Sequence, residues 1–173
     1  MARMLKGSCL CGQTSYEVED AFDYAMFCHC SQCRRTTGAA CKPMGGIPVG
    51  KLRLTAGAAS VLSFGKGDIR DVHCGACGSL IYSIVREVAW AHVAYGTLID
   101  PPTLAPQEHI FAADRAPWLR SRTGCRNGQD IRGPARGWSE APISATETGP
   151  EIVTISGVRP PTSSGPERSS SRR

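Results

Sequence analysis

An all-β domain is the fold class that the sequence predicts, on three observations. Short stretches alternate polar and apolar residues, turn residues interrupt them at short intervals, and only one segment reads as a helix. Alternation runs through Thr14–Glu19 and again through Lys51–Thr55, each the pattern of a strand with one face buried. Two longer apolar runs, Ser79–Val85 and Val88–Tyr95, follow as further strands. Gly45-Gly46, Gly65-Lys66-Gly67 and Pro101-Pro102 read as the separators between elements. The helix candidate is Ser31–Thr37, with its serine placed to cap the first turn. Strands at this spacing predict a small β-sandwich or barrel-like domain.

The chain of 173 residues is long enough to bury a core without staples. Its character changes near Leu119, which divides it into a domain over residues 5–119 and a tail over residues 120–173. Gly, Pro, Ser and Thr supply 27 of the last 54 residues, and arginine carries all of their positive charge. Only Glu151–Ser156 there resembles a strand. Such a segment offers too little apolar surface to offset its ordering entropy, so the tail is expected to be mostly disordered.

Charge follows the same division. The formal net charge is +5, but residues 1–119 hold 11 basic and 10 acidic residues, a net of +1, and the tail holds the remaining +4. A nearly neutral core without a basic, aromatic-lined groove argues against specific nucleic-acid binding by the domain. No apolar run approaches the roughly 20 residues needed to cross a bilayer, and the first residues lack the apolar stretch of a signal peptide. The expected setting is therefore cytoplasmic and reducing, with no membrane partner.

Seven of the nine cysteines fall into three clusters: Cys9-Leu10-Cys11, Cys28-His29-Cys30-Ser31-Gln32-Cys33, and Cys74-Gly75-Ala76-Cys77. In a reducing compartment clustered cysteines hold metal more often than they form disulfides. Zinc takes about four ligands at tetrahedral corners, and a C-x-x-C turn brings two sulfurs to one ion. Cys9 and Cys11 with Cys74 and Cys77 therefore suit a closed, structural zinc site that ties distant strands together. Cys28, Cys30 and Cys33 offer three sulfurs with no evident fourth ligand, the pattern of an open, catalytic zinc. His29 should point away from its cysteine neighbours, toward the surface or a substrate. His73, His92 and His109 read as ordinary strand or loop residues, Cys41 as a small buried hydrophobe, and Cys125 as a free thiol in the tail.

These clusters resemble the glutathione-dependent formaldehyde-activating (GFA) domain proteins, a family that includes the centromere protein V relatives. The resemblance is carried by Gly7-Ser8-Cys9-Leu10-Cys11-Gly12, by Cys28–Gly38, by Cys74-Gly75-Ala76-Cys77-Gly78, and by the closing Gly96-Thr97-Leu98, His109-Ile110-Phe111 and Ala116-Pro117-Trp118. It implies an all-β zinc fold, a complex β-sandwich of the GFA type, with the two zinc sites divided as above. It also implies condensation of formaldehyde with glutathione to S-hydroxymethylglutathione, a carbon–sulfur lyase activity. After Trp118 the chain departs from the family pattern, which suggests a changed reading frame or a fused unrelated end.

The expected mechanism follows from charge. Seven thiolates and two zinc ions add about −3 to the core's +1, leaving a slightly negative domain. A three-thiolate zinc is a weak Lewis acid, better suited to holding a further thiolate, glutathione-like, than to ionising water. Arg34 and Arg35 lie beside this cluster and could pair with glutathione carboxylates. The alternative is a non-enzymatic zinc module for protein or nucleic-acid partners. The oligomeric state stays open, a homo-oligomer included.

Overall fold

The computed structural model describes residues 2–66 and 69–119 and the backbone of 126–127; the rest of the predicted tail, with Cys125, lies outside the described residues. Strand β1 (Met4–Ser8), β2 (Ser15–Glu19) and β5 (Leu52–Ala56) form an antiparallel three-stranded sheet in the order β1-β2-β5. The remaining strands are β3 (Tyr24–Cys28), β4 (Lys42–Pro48), β6 (Val61–Lys66), β7 (Ile69–Cys74), β8 (Leu80–Val85), β9 (Trp90–Ala94), β10 (Glu108–Ile110) and β11 (Arg126–Asn127). They form an eight-stranded sheet in the order β11-β10-β3-β4-β9-β8-β7-β6, antiparallel except where β10 meets β3 and β11. Helix α1 (Ser31–Thr37) joins β3 to β4.

Packing makes the two sheets one sandwich. Leu5, Tyr16, Val18 and Leu54 of the small sheet share a core with Ile47, Val72, Tyr82, Ala91 and Val93 of the large one. Burial of each leucine, isoleucine or valine among them contributes roughly 1.5–3 kcal/mol. Tyr16 is the centrepiece: its ring lies where a Cβ on Gly7 would come within 2.0 Å, and its hydroxyl bonds Thr97 Oγ1 at 2.9 Å. Gly7 is thus required by the close approach of a ring on the neighbouring strand.

Register decides what the other face of the large sheet carries. Ile47 pairs with Ala91 and Gly45 with Val93, which sends these residues toward the small sheet. Cys28 pairs with Lys42 and with Ile110, so all three stand on the opposite face with Met44. A second apolar cluster forms there from Cys28, Met44 and Ile110, with Met26, Cys30, Cys33 and Phe111 against it.

Three local expectations change. Gly45-Gly46 does not separate elements; it lies inside β4, where the Tyr95 and Phe22 rings crowd Gly45 and the Tyr24 ring crowds Gly46. Ser31 is not the helix cap, because Cys30 takes that position and its sulfur accepts from Cys33 N. The run from Val88 does not begin a strand, since Arg86, Glu87 and Val88 all have positive φ and turn the chain into β9.

Candidate metal centres

The first centre sits where β1 and β7 end. Cys9 and Cys11 occupy the turn after β1, Cys74 closes β7, and Cys77 follows in its own turn. Each turn is closed by a backbone bond, Gly12 N to Cys9 O at 3.2 Å and Gly78 N to Cys74 O at 2.9 Å. Both glycines are left-handed, at φ 77° and 74°, which a side chain would resist. The four sulfurs lie within 4.8 Å of one another, with Cys9–Cys11 at 3.5 Å and Cys11–Cys74 at 3.8 Å. A tetrahedron of sulfurs about 2.3 Å from a zinc ion has edges of roughly 3.8 Å. The donor set and its spacing therefore fit a tetrahedral metal ion.

Ser79 latches the two turns together. Its Oγ accepts from Leu10 N at 3.1 Å and donates to Cys77 Sγ at 3.2 Å. That hydrogen bond, with the Ser79 backbone, lowers the Cys77 thiol to about 5, which readies it as a thiolate ligand. Burial works against the Cys9 thiolate, but Thr14 N–H donates to its sulfur at 3.2 Å and the Cys11 and Cys74 thiols add to this, so its pKa is lowered. No spacing rule flags Ser79 or Thr14; both act from outside the cysteine motifs.

The second centre lies on the outer face of the large sheet. Cys28 ends β3, Cys30 caps α1, and Cys33 stands in the helix's first turn. Their sulfurs also lie within 4.8 Å of one another, and among the described residues no fourth histidine, cysteine or carboxylate joins them. The thiols compete for protons, and the charge settles on one of them. Cys30 receives hydrogen bonds from Cys28 and Cys33 and from the backbone of the first turn, which hold its pKa down to about 2. Donating to Cys30 raises Cys28 most of all. A three-sulfur set whose hydrogen bonds favour the Cys30 thiolate, beside a closed four-sulfur set, can hold a metal with a position left for a further ligand.

Around this centre the other singled-out residues separate. His29 does not face the surface or a substrate: it is fully buried, and its Nε2 meets Nδ1 of the equally buried His109 at 2.7 Å. The alternation that turns it from the cysteines carries it inward, beneath β10. Arg34 and Arg35 fall in the last turn of α1; Arg34 Nε donates to His29 O at 3.3 Å, and Arg35 is exposed. His73 and His92 are strand residues as expected, and Cys41 is half-buried with its thiol pushed up by burial. All eight described cysteines are free thiols.

One residue beside the second centre escapes any motif. Lys42 is 2% exposed and stands directly across from Cys28 in the β3–β4 register. Lysine is among the residues least often buried, so the sequence carries no signal of its burial.

The family model for glutathione-dependent formaldehyde-activating enzymes matches residues 4–114. Among solved structures, the chain is similar to the crystal structure of a Rhodobacter sphaeroides protein, with 28% identity over 57% of this chain and 92% of that one, at a TM-score of 0.49. No curated protein matches the chain. Among the described residues no helix is long and apolar enough to cross a membrane.

Proposed function

The chain belongs to the glutathione-dependent formaldehyde-activating family, and we propose that it is a zinc-dependent carbon–sulfur lyase acting on a thiol adduct, as in the condensation of glutathione with formaldehyde. The observation that carries this reading is the pairing of an incomplete three-sulfur centre with a complete four-sulfur one. A fold that needed zinc only as a staple would gain nothing from leaving one site a ligand short.

In this reading each chain holds two zinc ions. Cys9, Cys11, Cys74 and Cys77 hold the structural one, and Cys28, Cys30 and Cys33 hold the catalytic one. Zinc at the second site supplies a weakly Lewis-acidic position that favours the thiolate form of a substrate thiol. The reaction itself is addition of that sulfur to the carbonyl carbon. A C–S bond forms, the carbonyl π pair moves to oxygen, and the proton given up by the thiol ends on that oxygen; cleavage is the reverse.

The chain's own residues prepare this step. Hydrogen bonds from Cys28 and Cys33 lower the Cys30 pKa and so favour the thiolate, the form that takes a cation. Arg34 and Arg35 on α1 are the cations this reading assigns to the substrate's carboxylates, with Arg34 steadied by its bond to His29 O. Met44, Ile110 and Phe111 keep the sulfurs in a dry surrounding, where charge interactions are stronger than in water. The free thiols suit a reducing, cytoplasmic setting.

Native mass spectrometry of chelator-free protein, with and without glutathione, tests the reading. Two zinc ions and a glutathione adduct that disappears in Cys30→Ala are expected. One zinc ion and no adduct would leave a structural zinc module and point to a macromolecular partner.

A further inference from the structure

Lys42 stands beside the second centre, across the β3–β4 register from Cys28. It is a cation with almost no exposure, and buried charges persist only when they are partnered. Its partner is a short polar chain. Lys42 Nζ donates to Ser83 Oγ, and Ser83 Oγ donates in turn to Asp71 Oδ1. Ser83 is itself 3% exposed, whereas Asp71 reaches partial exposure on β7.

Sheet register places the whole chain on the same face as the sulfurs. Asp71 pairs with Ser83, Ser83 with His92, and His92 with Gly46. Lys42 lies four residues from Gly46 on β4, an even spacing, and pairs with Cys28 on β3. The acid lies on β7, beyond Ser83 and three strands from Lys42, on the side away from the sulfurs. The linked pair therefore sets its cation on the side of the sulfurs and its acid on the far side, and Arg34 of α1 is a second cation beside them.

Three thiolates around a divalent ion sum to about −1, and an anionic thiol as fourth ligand makes about −2. In a dry site that excess opposes the thiol's arrival. We infer that Lys42 is a positioning residue for the substrate thiol: its buried ammonium, anchored through Ser83 to Asp71, offsets the negative charge that the thiolate brings to the Cys28/Cys30/Cys33 centre. The inference rests on the thiol-lyase reading above and adds to it the residue that admits an anionic sulfur. A purely structural Lys42 would affect stability and zinc content and leave thiol affinity unchanged.

The test is the dissociation constant of glutathione for zinc-loaded protein by calorimetry, with zinc content counted by mass spectrometry in the same samples. Lys42→Met keeps the length of the side chain and removes the charge, and Asp71 remains hydrated at the surface. With two zinc ions retained, its glutathione affinity is expected to fall roughly ten- to a hundredfold, the effect of one charge several ångströms away at intermediate screening. Lys42→Arg is expected to stay within a few-fold of the parent. Should Lys42→Met not fold, Ser83→Ala unties the ammonium and is expected to weaken glutathione several-fold. Unchanged affinity in the folded Lys42→Met protein, or in Ser83→Ala when Lys42→Met does not fold, overturns the role of Lys42 alone. Absence of glutathione binding by the parent protein overturns the thiol-lyase reading and this inference with it.

Discussion

Thr36 Oγ1 and His73 Nε2 stand 3.2 Å apart, and this contact joins the two sulfur centres. Thr36 belongs to α1, which carries Cys33; His73 immediately precedes Cys74 on β7. The other ring nitrogen, Nδ1, bonds Gly78 O at 2.9 Å, inside the C-x-x-C turn. A carbonyl only accepts, so Nδ1 carries the proton and Nε2 accepts from the threonine hydroxyl. The turn of the first centre thereby orients the helix of the second.

Cutting this link should loosen the second centre without emptying it. His73→Leu removes both bonds and leaves all seven sulfurs in place. The expected cost is about 1–2 kcal/mol of stability, the usual scale for two partly exposed hydrogen bonds. A colorimetric chelator should extract the first-released zinc several-fold faster than from the parent. Equal extraction rates would show that the centres are held independently.

The buried His29–His109 pair predicts acid sensitivity. Burial lowers both pKa values, and for His29 the facing His109 and Arg115 add to it. Unfolded histidine titrates near 6.5, so below that pH the unfolded chain binds more protons than the folded one. Stability is therefore full above about pH 6.5 and falls as the pH drops toward the lowered folded values. His109→Leu removes one of the two groups and should flatten this slope, at a cost of about 1–3 kcal/mol at neutral pH for the unpaired His29 nitrogen. Urea titrations across pH at matched zinc content provide the check; a slope equal to the parent's would assign the acid loss to the thiolates.

Much of this was legible in the sequence, and the misses share a cause. Alternation located β2 and β5 within a residue, because a half-buried strand advertises its two faces. The C-x-C and C-x-x-C spacings marked the chelating turns because short chelates are local geometry, and the four-ligand preference of zinc joined two of them across 63 residues. Gly45-Gly46 misled because their reason is tertiary: aromatic rings from Phe22, Tyr24 and Tyr95 lie against a strand that must be bare. Lys42, Ser79 and His29 were equally opaque, since each takes its meaning from a residue far away in sequence. Long-range register has no local signature in one sequence.

That tertiary reason is itself testable at Gly46. A Cβ there would fall 2.0 Å from the Tyr24 ring, and Tyr24 also stacks with Trp90 and bonds His92 Nε2 at 2.7 Å. Gly46→Ala must displace the ring and both partners, which should cost about 1–3 kcal/mol, the usual penalty of overpacking. Adding Tyr24→Ala should relieve the clash, so the two changes together are expected to cost less than their sum. Strict additivity in thermal unfolding would locate the constraint elsewhere.

Removing one sulfur from each centre should separate folding from chemistry. Cys74 is fully buried at the end of β7, and its partner Cys11 lies 63 residues away in sequence. Cys74→Ser takes a ligand from a site that closes that long loop, so zinc binding there no longer contributes to folding. Its thermal midpoint should drop steeply, and chelator should have little further effect on it. Cys33→Ala, in contrast, acts on a centre confined to β3 and α1 and closes no long loop. That protein should keep one zinc ion and most of its stability while losing turnover of glutathione with formaldehyde. Equal destabilisation by both substitutions would mean that the second centre is also a staple, and the division between a structural and a catalytic site would fail.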